Sequence, residues 1–299
     1  MGSWTTRPPA GAARRMWVRL AGMAALFGGV SALTSALGSA ATGNPVLSLL
    51  VGLACAAGVL ALYAVVVRAW EARPVRELER ASAGSGLRDG VLGGLGLFAV
   101  TLGLIALCGG YRIEGWGSFG GALSVLGLMA GVAVVEEVLF RGIVFRLVEE
   151  ATGTRGALVI SALLFGGLHL ITPRATVWGA LAIAVEAGLM LGAAYVLTRA
   201  LWLPIGLHLG WNAAESALFG APVSGNEGLP QGLLDGAASG PAVLSGGEFG
   251  PEASLFAVLV CGAATVVLLR KAARGGRIRP RGGPVVPGDS TEAACTQGG

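Results

Sequence analysis

A chain built from successive apolar runs of about 20 residues is dominated by one constraint, because that is the length a helix needs to cross the hydrocarbon core of a bilayer. Eight such runs are readable here, at 18–40, 46–67, 90–109, 121–147, 156–172, 176–198, 201–219 and 252–270. Charged residues make up 13% of the chain and hydrophobic ones 54%, whereas a soluble domain carries about 25% charged residues. A water-soluble fold of this size lacks the polar residues to cover itself. Backbone groups in lipid must be satisfied internally, so only helices or closed barrels span. No barrel-type alternation is present, and every run is rich in Gly and Ala, which lets helices approach closely. The expected fold is an all-α membrane protein, a bundle of about eight transmembrane helices.

Charge then orients the bundle. The net charge is +4, but the basic residues fall in short blocks between apolar runs, which argues for membrane topology rather than nucleic-acid binding. With the N-terminus in the cytoplasm, Arg7, Arg14, Arg15 and Arg19, the block from Arg68 to Arg88, Arg146, Arg155, Arg199 and the Arg270–Arg281 cluster all fall inside. Only Arg112 and Arg174 fall outside, together with a Gly-rich loop that has no Lys or Arg. Both termini are therefore expected in the cytoplasm, in a multi-pass protein of a plasma membrane; the Arg, Ala and Gly bias suggests a bacterial source. The first run also has the character of a signal peptide, with small residues at Ser39–Ala41; uncleaved, it is the first span. Four dispersed cysteines, Cys55, Cys108, Cys261 and Cys295, suggest neither a disulfide framework nor a thiolate metal site.

An ionisable side chain in a span is a functional candidate by default, given an insertion cost of about 2.5–3.5 kcal/mol at the bilayer centre. Glu136, Glu137, Arg141, His169, Glu186, His208 and Glu215 meet that description, and the two histidines are the only ones in the chain. Glu137 and Arg141 share a helix face at a spacing of four and read as a structural pair. Glu136 points about 100° away, without that partner, and suits a general base. Phe165 and His169 stack one turn apart. His208 and Asn212, again four apart, can donate two hydrogen bonds to one oxygen, as an oxyanion hole requires.

Three segments in order, Glu136-Glu137-Val-Leu-Phe-Arg141, Phe165-Gly-Gly-Leu-His169 and His208-Leu-Gly-Trp-Asn212, resemble the CPBP family of intramembrane proteases, which includes the type II CAAX prenyl endopeptidases. The stretch Gly188–Tyr195 followed by Leu201–Pro204 is similar to the family's approach to its last motif. The resemblance implies a membrane cavity opening toward the cytosol, in which Glu136 and His169 activate a water, His208 and Asn212 stabilise the oxyanion, and Glu137 and Arg141, with Phe165, hold the shape of the site. Glu136, His169 and His208 also form a donor set that would satisfy zinc, though without the HExxH spacing; no cofactor follows with certainty. Glu186 and Glu215 depart from the pattern: either pairs with Arg199 or a histidine, or lines a wet cavity.

The chain divides into a cytosolic segment 1–17, N-terminal helices 18–119, a CPBP-like core 120–220, an extracytoplasmic loop 221–251, a last helix 252–270 and a disordered basic tail 271–299. The function expected is an intramembrane endopeptidase acting on a membrane-embedded or membrane-anchored peptide, with the lipid bilayer as its other partner. Two other classes use the same residues: a proton-coupled transporter, and a non-catalytic bacteriocin-immunity or scaffold protein.

Overall fold

The computed structural model describes residues 12–281. The expected segment 1–17 lies largely outside the described residues, as do Cys295 and the tail beyond 281. The chain is a bundle of helices: α1 (Ala12–Ala41), α2 (Pro45–Glu71), α3 (Ala83–Leu107), α4 (Phe119–Glu137), α5 (Arg146–Leu168), α6 (Val177–Ile183), α7 (Met190–Thr198), α8 (Trp202–Asn212), the short α9 (Ala242–Ser245) and α10 (Leu255–Arg274). Side-chain oxygens cap several N-termini: Asn44 accepts from Leu47 N–H, Ser118 from Gly121, Thr176 from Gly179 and Ser254 from Ala257.

Among the described residues, six helical runs are long and apolar enough to cross a membrane, against about eight expected. The difference has two local causes. Phe119–Ile171 runs as one element of 53 residues, but Gly153 sits inside it at φ 73°, ψ 173° and breaks it into two limbs; a left-handed φ suits glycine because it has no Cβ. The Trp202–Asn212 helix has only 11 residues and continues through a six-residue π-helical stretch.

Close helix contact follows from paired glycines. A Cβ on Gly94 would fall 2.2 Å from the carbonyl oxygen of Leu207, and one on Gly210 would fall 2.3 Å from that of Val91. Thus α3 and α8 pack backbone to backbone, side by side and parallel, as small residues permit in lipid. The pair Gly52 and Gly127 does the same for α2 and α4.

The loop expected over 221–251 is more ordered than its glycine content suggests. A strand β1 (Tyr111–Trp116) pairs antiparallel with β2 (Leu234–Ala238), the register shifting between Ile113 and Gly115. The disorder expected from 271 does not hold for the described residues 271–281. Helix α10 runs to Arg274, and Arg279 exchanges backbone bonds with Thr154, N–H to Oγ1 at 2.8 Å and carbonyl to N–H at 3.0 Å. The chain end thereby satisfies polar groups that the Gly153 break exposes.

Candidate active site

Three π-helical stretches interrupt the bundle: Val138–Phe145 after α4, Ala184–Leu189 between α6 and α7, and Ala213–Leu218 after α8. Each contains or adjoins the ionisable groups singled out above: Arg141 beside Glu136 and Glu137, Glu186, and Glu215 just beyond Asn212. Such stretches re-aim side chains by widening one turn and concentrate at functional sites.

Beside these stretches lies a cavity of about 230 Å³ lined by Glu136, Phe165, His169, His208 and Asn212. All four residues expected to carry the chemistry thus reach one space from three separate rods. Glu137 and Arg141 lie behind its wall, both with no side-chain exposure, joined at 2.8 Å. The Arg141 guanidinium also donates to the carbonyls of Ala187 and Gly188, at 2.9 and 3.1 Å, and lies 4.8 Å from the centre of the Phe165 ring. The buried pair is therefore tied to a second helix.

Glu137 does more than balance Arg141. Its Oε1 also stands 3.0 Å from Nδ1 of His208, a contact not foreseen from the sequence. A carboxylate at Nδ1 accepts a hydrogen bond from that ring N–H and turns Nε2 toward the cavity, where Oε2 of Glu136 stands at 3.8 Å. His169 is oriented by the backbone instead: its Nδ1 bonds the Phe165 carbonyl at 2.8 Å, which leaves Nε2 as its free atom. Phe165 packs against both imidazoles, with centroid distances of 5.1 Å to His169 and 6.2 Å to His208. Asn212 is buried, and its Nδ2 touches only the sulfur of Met129, at 3.5 Å. A weak acceptor of that kind leaves the amide ready for a better one.

Among the described residues no three His, Cys, Asp or Glu side chains are grouped to hold a metal ion; the bond from Nδ1 of His208 to Glu137 leaves Nε2 as the ring atom that would bind one. The pairing of Glu186 or Glu215 with Arg199 fails, because Arg199 bonds Glu149 at 2.6 Å in another part of the molecule. Glu186 instead lines the cavity, and Glu215 is fully buried next to it. Two cavity residues gave no signal in the sequence. Glu252 opens the last apolar run, where an acid reads as a helix-end residue, and Ser224 lies in the Gly-rich loop; the folded loop buries both and bonds them, Ser224 N–H and Oγ donating to Glu252 at 2.6 and 2.7 Å.

The mouth of the cavity is placed by Ser35 and Ser39 near the C-terminus of α1 and by Asn226, Glu227 and Leu229 of the loop after α8. This is the end of the bundle where Arg112 and Arg174 are the only basic residues among those described. Arg146, Arg199 and Arg279 gather at the opposite end, on Glu71, Glu77 and Glu149. Cytoplasmic termini and a cavity open to the cytosol, both expected above, are therefore incompatible in this fold.

A multi-pass helical bundle with a carboxylate, two imidazoles and an amide around one intramembrane cavity defines the class of protein. Residues 118–214 match the family model of the type II CAAX prenyl endopeptidase Rce1-like proteins, a likeness that supports the CPBP/CAAX protease resemblance of the three motifs. No curated protein and no solved structure matches the chain.

Proposed function

We propose that the chain is an intramembrane endopeptidase in which Glu136, helped by His169, activates a water against the scissile carbonyl of a membrane-associated peptide. The observation that carries this reading is the convergence of Glu136, His169, His208 and Asn212 on one cavity. Glu136 takes a proton from water as the oxygen attacks the carbonyl carbon. The C–N bond then breaks and the same proton passes to the leaving amine. As an imidazolium, His208 keeps Nδ1–H on Glu137 and offers Nε2–H to the oxyanion; Asn212 offers Nδ2–H beside it. Glu137 is a positioning residue, and Arg141 offsets its charge in a place that excludes water.

The distribution of arginine supports the arginine-rich end as cytoplasmic. The cavity then opens to the extracytoplasmic side, and the substrate presents its cleaved segment there, within or just above the membrane. Glu136→Gln in purified, reconstituted protein is the test. It is expected to lower peptide hydrolysis by about 10²–10⁴-fold, the usual contribution of a general base, with an unchanged helical circular dichroism spectrum. Equal turnover in variant and parent would remove the protease reading.

A further inference from the structure

Besides the proposed catalytic groups, the cavity wall carries two more carboxyls, Glu186 and Glu252, both nine-tenths or more buried. Glu215 lies against Glu252 from behind with no exposure at all. Glu252 has donors from Ser224 and Glu215 has Glu252 and the Trp211 indole beside it, but among the described residues Oε2 of Glu186 has no hydrogen-bond partner. The thiol of Cys261, 4.0 Å from the other oxygen of Glu186, is a poor substitute. Among the described residues no Lys or Arg lines the cavity. Arg141, the cation that acts on Glu186 from behind the wall, is already held by Glu137 and two carbonyls.

Buried carboxyls without partners are costly and persist where something else is served. The water activation proposed above is assigned to Glu136 and the imidazoles and leaves these carboxyls without a task. Their common need is a hydrogen-bond donor carrying positive charge. We propose that Glu186 and Glu252, backed by Glu215, form a specificity subsite for a cationic side chain, Lys or Arg, of a peptide bound in the cavity. The ammonium or guanidinium enters from the mouth, its alkyl stem covered by Ile183, Leu207 and Met190 on the apolar wall, and its donors fill the open oxygen. The assignment rests on the peptidase reading only for calling the ligand a substrate.

Binding tests it without requiring cleavage. Acetyl-Ala-Lys-Ala-amide and acetyl-Ala-norleucine-Ala-amide differ in one terminal group, and each is titrated calorimetrically into the full chain in nanodiscs. The lysine peptide is expected to bind about tenfold or more tighter, the order expected of a hydrogen bond between charged groups. The Glu186→Gln, Glu252→Gln double variant is expected to erase the difference. Equal affinity of the two peptides for the wild-type chain overturns the proposal, and so does undiminished preference in the folded double variant. The wild-type comparison decides the matter if the variant does not fold. Loss of the peptidase reading, seen as Glu136→Gln turning over like the parent, leaves this binding result intact, so the two failures are separable.

Discussion

Phe165 organises the site although its side chain has no polar atom to offer. Its ring carries Arg141 on one side, receives Phe140 edge-on at 4.9 Å and packs against both histidines. Arg141 is the residue on which most depends, because its guanidinium is the only countercharge Glu137 has within its helix and also satisfies two backbone carbonyls. Removing one member of a buried ion pair strands the other. Arg141→Ala is expected to cost about 3–5 kcal/mol, read as a lowered unfolding midpoint in detergent micelles. The double change Glu137→Gln, Arg141→Met is expected to recover part of that loss, since no charge is then left unpaired; a parent-like midpoint for Arg141→Ala alone would contradict the role. The i,i+4 spacing made this pair legible in the sequence. The bond from Glu137 to His208 was not, because its partners lie 71 residues apart and only the packing of α8 against α4 joins them.

At the level of elements, the helices are held by glycine contacts and re-aimed by π-helical turns. The packing of α3 on α8 separates two glycines that look equivalent in sequence. Gly94 faces the Leu207 carbonyl at a distance no Cβ tolerates, whereas a Cβ on Gly96 meets nothing within 4 Å. Gly94→Ala is therefore expected to destabilise by about 1–3 kcal/mol through overpacking. Gly96→Ala is expected to be neutral or to gain about 0.5–1 kcal/mol from helix propensity. Paired thermal melts in the same detergent check both, and equal melts would refute the close α3–α8 contact. Apolar runs and their Gly-Ala content announced helices that approach closely. They did not announce which glycines touch, nor the π stretches, because a single widened turn leaves the hydrophobic pattern almost unchanged.

For the whole molecule, the distribution of arginine and the position of the cavity mouth together define which side substrate comes from. In a Cys108→Ser background, Asn226→Cys at the mouth is expected to react with a membrane-impermeant maleimide on intact cells. Arg155→Cys, at the far end, is expected to react only after permeabilisation; the reverse pattern would turn the bundle over and send the cavity to the cytosol. By itself the sequence determined that this is a helical membrane bundle, which rods carry polar groups, and which end gathers arginine, since hydrophobic length, helical spacing and local charge are all properties of neighbouring residues. Only the tertiary structure decided that Glu136, His169, His208 and Asn212 share a cavity, that Glu186, Glu215 and Glu252 gather at it, and that the mouth lies at the arginine-poor end. Those relations depend on how rods far apart in the chain rotate and pack against each other, and rotation about a helix axis is set by the neighbours a face meets rather than by the residues it carries.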